Sequence, residues 1–372
     1  MDIKKIETMR IAVPLHTPFK TALRTVTEAE AIVVKIICDD GITGWGEAPP
    51  THVITGESLD SIETAIEKII APKLIGQSLL ERERVFDILH TVLVGNTSAK
   101  AAVDMAIYDC LSQYAGMPLF QFLGGYRNRL ETDYTVSVNE IEEMADDTAR
   151  YIQKGFTALK VKVGKDHIET DIQRIKAVRQ AAGEAAVIRL DANQGWKPKE
   201  AIYAIRKMED LGLNIELVEQ PVKAHDLQGL KQVTDHVDTP IMADESVFSM
   251  YDARKVLETE SADFINIKLM KSGGIYQAMK ICTLAESFGV ECMVGSMIET
   301  KLGITAASHF AASQKNVTRY DFDAPLMLTD DIVKGGIQYQ GKRIHLTEES
   351  SGLGISEIKK QYIQNKGSVS NA

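Results

Sequence analysis

The sequence predicts an α/β protein: a modified (β/α)7–8 barrel (TIM barrel) preceded by an α+β capping domain, which the C-terminal segment completes. Two observations predict this fold class. Charged residues end apolar runs at a near-constant spacing through the middle of the 372-residue chain, and the first part of the chain follows a different pattern. A chain of this length can form a full barrel and a second, smaller domain.

The capping domain is predicted to span residues 1–125. Its first runs alternate or are rich in β-branched side chains, and Asp39-Asp40-Gly41 signals a hairpin. Three strands are predicted at 3–14, 29–38 and 42–47. Three helical patterns then follow at 58–70, 80–93 and 97–115. Strands followed by helices, without alternation, are typical of an α+β domain.

The barrel is predicted to span residues 126–325. Strand patterns recur every 24–29 residues, which is the length of one βα unit. Eight predicted strands end near residues 136, 162, 191, 219, 244, 268, 295 and 321. Eight parallel strands are the number that a closed barrel of this type requires. The segment 326–372 is too irregular for another βα unit, so we expect it to pack back against the capping domain.

Composition argues against several classes of protein. The net charge is −10 and no basic stripe runs beside aromatic residues, so we expect no nucleic-acid partner. No apolar run is long enough to span a membrane, and residues 1–5 lead into alternating sequence instead of an apolar signal core. The four cysteines are scattered without a Cys-x-x-Cys pair, which favours reduced, mostly buried thiols in a cytoplasmic protein.

Three acidic residues, Asp191, Glu219 and Asp244, end successive apolar runs. Because the C-terminal ends of barrel strands meet at one mouth, we expect these carboxylates to converge. A single acid at this position often caps the following helix, but three on adjacent strands would repel one another without a cation. Hard oxygen donors without Cys or His favour Mg²⁺, with Mn²⁺ as the alternative, over Zn²⁺.

Lysines lie on both sides of these acids. Lys160 and Lys162 are two residues apart on one strand, so both side chains should point into the barrel, and Lys268 ends a strand across the mouth. A Lys-x-Lys pair on an exposed strand is usually solvated, which does not fit this position. Two lysines facing one carbon can remove and return a proton on opposite faces. We expect their mutual repulsion and a nearby cation to lower a lysine pKa toward neutrality.

In chain order the barrel carries five motifs: Lys160-x-Lys162, Asp191-x-Asn193, Glu219-Gln220-Pro221, Asp244-Glu245-Ser246 and Lys268. Two further motifs lie before the barrel: Gly44-Trp45-Gly46-Glu47 and Leu123-Gly124-Gly125. This series resembles the enolase superfamily, muconate-lactonizing subgroup, over essentially the whole chain. The resemblance implies Mg²⁺ on the three acids, with Lys162 and Lys268 as the two catalytic bases.

On the eighth strand, Asp321-Phe322-Asp323 resembles the pair that holds the substrate's N-terminal ammonium in the dipeptide epimerases of this subgroup. Two carboxylates facing one way make a charge-assisted cradle for a cation. A helix cap or a salt bridge to a nearby arginine is the structural alternative. Lactonizing enzymes and succinylbenzoate synthases, whose substrates lack a free ammonium, would not need such a cradle.

Residues 18–25 resemble the mobile loop that closes over the mouth in this family. Arg24 in that loop is similar to the arginine that binds a glutamate side-chain carboxylate in epimerases of L-Ala-L-Glu, although loop arginines are usually solvent-exposed. Further pocket residues are expected at strand ends and in loops, where packing is the default interpretation of the apolar ones: Thr135, Ile54, Asn193, Ser296, Met297 and Ile298.

The residues and the resemblance together predict an isomerase. It would epimerise a dipeptide at the α-carbon of its C-terminal residue by two-base 1,1-proton transfer through an ene-diolate, which Lys160 helps to stabilise. The resemblance implies L-Ala-L-Glu and L-Ala-D-Glu as the substrate pair. We expect a small dipeptide as substrate, no membrane partner and a homo-oligomer.

Several alternatives stay open at this stage. The dipeptide could carry a hydrophobic or cationic second residue, or the enzyme could be a cycloisomerase, an o-succinylbenzoate synthase or an N-acylamino acid racemase of the same subgroup. Acid-sugar dehydration is disfavoured because it would typically use a histidine base from a late strand, where this chain has Lys268 and no His. A non-catalytic barrel is disfavoured because every expected base and ligand is present.

Overall fold

The structure, a computed structural model, describes residues 1–364, so the last eight residues of the predicted C-terminal segment lie outside it. It begins with an antiparallel sheet in the order β1 (Ile3–Lys20), β2 (Thr25–Cys38) and β3 (Thr43–Ala48). The bounds of the predicted loop at 18–25 are corrected, because β1 continues to Lys20, which pairs with Thr25. Only residues 21–24 of that loop remain outside the strands.

Helical segments follow the sheet: α1 (Leu59–Thr64), a π-helical stretch (Ala65–Ile70), α2 (Ala71–Leu74), α3 (Arg82–Thr91), α4 (Thr97–Tyr114) and α5 (Leu119–Phe122). α4 is buried along almost its whole length because it packs against β2 and β3 on one side and against the barrel on the other. A Cβ added at Gly44 or Gly46 would collide with a backbone carbonyl of α4. Close approach of β3 to this helix therefore requires both glycines.

The barrel contains eight parallel strands in one sheet: β5 (Tyr134–Val136), β6 (Ala158–Lys162), β7 (Val187–Asp191), β8 (Ile215–Glu219), β9 (Ile241–Ala243), β10 (Phe264–Ile267), β11 (Cys292–Val294) and β12 (Val317–Tyr320). Among residues 1–364 no ladder joins β12 to β5. Two hydrogen bonds bridge that gap, from Asp133 N to Tyr320 O at 3.3 Å and from Phe322 N to Thr132 Oγ1 at 2.8 Å. The predicted modified TIM barrel is confirmed.

Helices follow the strands in turn: α6 (Ile141–Gln153), α7 (Ile168–Ala182), α8 (Pro198–Asp210), α9 (Leu227–Thr234), α10 (Met250–Glu258), α11 (Leu269–Ser272), α12 (Ile275–Ser287), α13 (Lys301–Ser313) and α14 (Ala324–Met327). The last of them has only four residues, so the eighth βα unit is reduced to one helical turn. This is the sense in which the barrel is modified.

Strand register brings the charged strand ends to one level. Lys162 pairs with Asp191, and Asp191 pairs with Glu219, on neighbouring strands. Because side chains alternate along a strand, Leu217 lies on the same inward face as Glu219, one layer below it. Leu217 forms a small buried apolar cluster with Met242 and Met293. The charged layer at the mouth therefore rests on an apolar layer, where the dielectric constant is low.

The remaining chain forms short strands: β13 (Val333–Gly335), β14 (Gln338–Gln340), β15 (Arg343–His345) and β16 (Ile355–Ile358), followed by a 3₁₀ turn (Lys360–Tyr362). β15 pairs with the segment Arg129–Glu131 (β4) just before the barrel. Isolated bridges join Ile363 to Ile11 and Leu328 to Leu15 of β1. The division at residues 125 and 325 stays a prediction.

Two further predictions concern the cysteines and membrane-spanning helices. All four cysteines are free and buried. No helix within residues 1–364 is both long and apolar enough to cross a membrane.

Candidate active site

Six charged side chains form the floor of the barrel mouth, and each of them is at most 7% exposed. Three of these residues close β6, β7 and β8, Lys160 lies two residues earlier on β6, and Asp244 and Lys268 directly follow β9 and β10. The set is Lys160, Lys162, Asp191, Glu219, Asp244 and Lys268. All six were predicted from the sequence, and we refer to them as the floor.

Lys160 is the central cation of the floor. Its Nζ lies 2.7 Å from Glu219 Oε2, 2.8 Å from Asp321 Oδ2 and 3.2 Å from Asp191 Oδ2. One ammonium therefore contacts carboxylates from β7, from β8 and from the residue after β12. Buried charges need partners of this kind, because an unpaired buried ion is strongly unfavourable.

Lys162 and Lys268 are each paired with one floor carboxylate. Lys162 Nζ donates to Asp191 Oδ2 at 2.6 Å, and Lys268 Nζ donates to Asp244 Oδ2 at 2.7 Å. Three strands separate β6 from β10 in the sheet, and both lysines line the same cavity. Two amine groups thus face one space from two sides, as a two-base site requires.

The charges of the floor shift its titration. Burial and the neighbouring Asp191 raise the pKa of Glu219 to about 8, whereas burial is outweighed by Lys162 and Lys160 at Asp191, whose pKa falls to about 2. The predicted lowering of a lysine pKa, which includes the effect of a nearby cation, stays a prediction. Burial lowers the pKa of Lys268, but Asp244 at 2.7 Å outweighs burial and raises it.

The chemistry of the donor set fits a hard divalent cation. Asp191, Glu219 and Asp244 present oxygen ligands on adjacent strands, and their repulsion contributes to the raised pKa of Glu219. Within residues 1–364, however, no group of three or more His, Cys, Asp and Glu side chains could hold a metal ion as arranged. In this arrangement a lysine ammonium contacts an oxygen of each of the three carboxylates.

Several supporting residues were missed from the sequence. Asn266 Nδ2 donates to Glu219 Oε1 at 2.8 Å, and Lys271 Nζ lies 2.6 Å from Asp244 Oδ1. Gln220 Oε1 accepts from Asp244 N at 2.9 Å. A signal existed for Asn266, which lies two residues before Lys268 and therefore faces the same way. The contacts of Lys271 depend on a neighbouring element and carry no such signal, and Gln220 was noted only as part of the Glu219-Gln220-Pro221 motif.

Above the floor lies a cavity of about 580 Å³, part of which is open to solvent. Eleven predicted site residues line it: Arg24, Ile54, Thr135, Lys162, Asn193, Lys268, Ser296, Met297, Ile298, Asp321 and Asp323. Lys160 and the three acids are not among the lining residues, because they lie buried beneath it. Six lining residues were not named as site residues, although the first three lie in the predicted loop 18–25 and Glu245 lies in a quoted motif: Phe19, Thr21, Leu23, Val53, Glu245 and Ala324.

Asp321 and Asp323 lie on one side of the cavity with different partners. Asp321 Oδ2 accepts from Lys160 Nζ, while within residues 1–364 its Oδ1 accepts no hydrogen bond. Asp323 Oδ2 accepts from Thr135 N at 2.6 Å. Burial and the charge of Asp321 raise the pKa of Asp323 to about 7. Neither aspartate forms a salt bridge to an arginine in the described part of the chain.

Arg24 lies in the turn between β1 and β2 and reaches the cavity. Within the described residues its guanidinium makes no hydrogen bond or ion pair, and burial lowers its pKa. The remaining wall there is apolar and consists of Ile54, Met297 and Ile298, with Val53 and Leu23. Asn193 adopts a positive φ of 41° and donates its backbone N–H to Asp191 Oδ1 at 2.9 Å.

Two family models match this chain. One described as Enolase C-terminal domain-like matches residues 143–360, and one described as Mandelate racemase / muconate lactonizing enzyme, N-terminal domain, matches residues 4–124. The L-Ala-D/L-Glu epimerase of Bacillus subtilis is 63% identical over 95% of this chain and 97% of its own length. The L-Ala-D/L-Glu epimerase of Clostridium acetobutylicum is 50% identical, over 96% of this chain and 99% of its own.

Solved structures agree with these matches. A substrate-liganded complex of the Bacillus subtilis epimerase has a TM-score of 0.95 and covers 95% of this chain and 99% of its own. The dipeptide epimerase from Enterococcus faecalis, complexed with Mg and L-Leu-L-Tyr, has a TM-score of 0.93 at 44% identity and covers 96% and 100%. The predicted resemblance is confirmed, and the chain belongs to the enolase superfamily, with an N-terminal domain of the mandelate racemase / muconate lactonizing enzyme type.

Proposed function

We propose that this chain is a dipeptide epimerase that inverts the α-carbon of the C-terminal residue, with L-Ala-L-Glu and L-Ala-D-Glu as its substrate pair. The observation that carries the proposal is the placement of Lys162 and Lys268, which line one cavity from β6 and from the end of β10. A relative named L-Ala-D/L-Glu epimerase, 63% identical over nearly the whole chain, supports the choice of reaction.

Asp191, Glu219 and Asp244 are the residues that would hold the divalent cation. Mg²⁺ is the proposed ion, because a related epimerase was solved with Mg, and Mn²⁺ has similar ligand preferences. When bound, the cation supplies positive charge that stabilises the ene-diolate charge of the substrate carboxylate. Lys160, the central ammonium of the floor, adds a second positive charge at the same level.

Lys162 and Lys268 move the proton. The neutral amine of one lysine accepts the proton from the α-carbon, and the ammonium of the other donates a proton to the opposite face. The stereocentre is then inverted, and the summed charge of the two lysines is unchanged. The direction of the reaction decides which lysine begins as the amine.

Asp321 and Asp323 would bind the N-terminal ammonium of the dipeptide. Asp321 Oδ1 accepts no hydrogen bond within residues 1–364, so it can accept one from a ligand, and Asp323 lines the cavity beside it. Holding this remote end places the α-carbon between the lysines, which converts binding energy into orientation. Substrates of cycloisomerases, o-succinylbenzoate synthases and N-acylamino acid racemases carry no ammonium for this pair.

The side chain of the second residue would face Arg24 and the apolar wall. An unpaired, half-buried guanidinium favours a carboxylate, and therefore glutamate. The second candidate substrate is a dipeptide with a hydrophobic second residue, because Ile54, Met297 and Ile298 would contact it. The Enterococcus faecalis relative was solved with such a dipeptide. Thr135, Asn193 and Ser296 would provide polar contacts.

We further propose that the enzyme acts in the cytoplasm as a homo-oligomer. Four free cysteines suit a reducing compartment. Tyr203 on α8 and Tyr251 on α10, which are 52% and 66% exposed, would be candidates for the contact between subunits. Light scattering after gel filtration measures the mass directly, and a mass near 41.0 kDa would contradict the oligomer.

The test is a library of L,L-dipeptides incubated with Mg²⁺ in D₂O and read by mass spectrometry. We expect L-Ala-L-Glu to gain one deuterium at the glutamate α-carbon while its stereochemistry equilibrates. A preference for hydrophobic second residues would favour the second candidate. No exchange with any dipeptide would overturn the proposal.

A further inference from the structure

Two buried carboxyl groups outside the floor lie close together where the capping domain meets the barrel. Glu47 ends the Gly-Trp-Gly-Glu motif on β3 and is 0% exposed; Glu299 lies between β11 and α13 and is 2% exposed. A Cβ added at Gly303 would lie 2.5 Å from Glu299 Oε2 and 3.4 Å from Glu47 Oε2. Both groups therefore lie beside the first turn of α13.

Glu47 holds the start of this barrel helix. It accepts hydrogen bonds from Thr300 N at 2.8 Å, from Gly303 N at 2.9 Å and from the Thr300 hydroxyl. The first N–H groups of a helix have no partner within the helix, so a carboxylate there is stabilising. The capping domain thus supplies the cap for a helix of the barrel, which fixes the two parts together at this point.

Glu299 holds the turn before the helix. Its Oε1 accepts from Met297 N at 2.9 Å, while its buried Oε2 has no hydrogen-bond partner. Burial and the charge of Glu47 raise the pKa of Glu299 to about 8, so the group is mainly protonated at neutral pH. A protonated carboxyl can accept from Met297 N without placing a second negative charge beside Glu47.

Two segments of the apolar cavity wall lie close in the sequence to these two acids. Met297 and Ile298 belong to the turn that Glu299 holds, and they line the cavity. Val53 and Ile54 follow Glu47 by a few residues in the capping domain and line the same cavity. Neither Glu47 nor Glu299 lines the cavity itself, so each would act through its neighbours.

We propose that Glu299 is a positioning residue that, buried beside Glu47, fixes where Met297 and Ile298 lie relative to Val53 and Ile54 in the apolar wall, and thereby sets the selectivity for the second side chain of the dipeptide. The role in selectivity rests on the proposed function; the role in positioning rests on the hydrogen bonds alone. We expect loss of the hydrogen bond to Met297 N to change selectivity about tenfold, which corresponds to about 1.4 kcal/mol.

The experiment compares Glu299→Ala with Glu299→Gln, using the ratio of kcat/KM for L-Ala-L-Glu to that for L-Ala-L-Leu. Glutamine keeps an acceptor for Met297 N and mimics the neutral acid, so we expect its ratio within about twofold of the parent. Alanine removes the acceptor, and we expect the ratio to change about tenfold, with KM affected more than kcat. A parent-like ratio in Glu299→Ala would overturn the proposal.

Asp109→Ala is the matched control, because Asp109 is also a buried carboxyl that accepts backbone hydrogen bonds, from Trp45 and Leu353, but does not line the cavity. It should lose stability and keep the parent ratio. If Glu299→Ala does not fold, Glu299→Asp replaces it, since the shorter side chain should not reach Met297 N and the same change is expected.

Crystal structures of the parent and of Glu299→Ala separate the two proposals. Displacement of the Met297–Ile298 backbone in the variant supports the positioning role even if no dipeptide reacts, in which case the proposed function alone has failed. An unmoved backbone overturns the positioning role, whatever the activity of the parent.

Discussion

The floor and the wall of the cavity are built in different ways. On the floor, Lys160, Lys162 and Lys268 each have a carboxylate within 2.8 Å, and every member lies at or near the end of a barrel strand. The wall comes from loops and the turn between β1 and β2, and the Arg24 guanidinium there has no hydrogen-bond or ion-pair partner within residues 1–364. The comparison indicates that the chemistry is fixed by the scaffold, whereas substrate choice can vary independently.

Catalysis should be almost abolished when one of the floor carboxylates that would bind the cation is substituted. Glu219→Gln should lower kcat by at least about 10³-fold, since it removes a ligand of the proposed cation and a partner of Lys160. Chelation of the metal should have a similar effect on the parent, and added Mg²⁺ should restore activity. The measurement is the initial rate of epimerisation by polarimetry.

Glu216→Gln is the control on the same strand. Glu216 pairs with Arg189 and Arg319 at the opposite end of the barrel, so its loss should reduce stability and leave kcat within a few-fold. Equal losses of kcat in Glu219→Gln and Glu216→Gln would mean that the floor carboxylate has no specific role in catalysis.

Asp321 contacts Lys160 of the floor and would also bind the N-terminal ammonium of the substrate. Asp321→Asn should lower kcat/KM for L-Ala-L-Glu by about 10²-fold, because one charge-assisted contact is lost and Lys160 loses a partner. N-acetyl-L-Ala-L-Glu, which has no ammonium, serves as the control substrate. If kcat/KM falls by the same factor for both substrates, Asp321 acts only through Lys160 and does not bind the ammonium.

Substitutions in the wall should change the selectivity between dipeptides and leave the proton transfer itself intact. Arg24→Met should lower kcat/KM for L-Ala-L-Glu by about 50-fold and raise or preserve that for L-Ala-L-Leu. Arg10→Met is the control. Arg10 lies on β1 and is already paired with Asp60 and Glu63 on α1, so its loss should alter neither kcat/KM value. A parallel loss for both dipeptides in Arg24→Met would contradict the distinction between wall and floor.

The smallest expected effect is a dependence on pH. The pKa of Asp323 is raised to about 7, so below that pH the carboxyl is neutral and cannot pair with an ammonium. From about pH 6 to about pH 7.5 its ionised fraction rises about eightfold, and kcat/KM should rise with it. Asp323→Asn should lower kcat/KM and flatten this part of the profile. If the pH profile of kcat/KM keeps its slope in Asp323→Asn, a group other than Asp323 is titrating.

The same raised pKa affects stability in the opposite direction. An unfolded aspartate ionises near pH 4, whereas Asp323 stays protonated up to about pH 7 in the folded chain. Its contribution therefore favours folding at low pH, is lost as the pH rises from about 4 to about 7, and is constant above that range.

The floor could be predicted from the sequence because two simple rules fix it. Strand ends converge at one mouth, and residues two apart share a face, so Lys160, Lys162 and the acids could be placed without coordinates. The contacts of Lys271 and the Glu47–Glu299 pair could not, because they depend on which elements pack together. The lowered lysine pKa stays a prediction, because Asp244 at 2.7 Å from Lys268 opposes the effects of lysine repulsion and of a bound cation.

Two-base proton transfer is tested most directly by incubating Lys268→Ala and Lys162→Ala with each diastereomer of Ala-Glu in D₂O. Each variant should exchange the α-proton of one diastereomer only, the two variants should prefer opposite diastereomers, and neither should invert the centre. Normal inversion in either variant, or exchange of both diastereomers by the same variant, would contradict the assignment of Lys162 and Lys268 to opposite faces of the substrate.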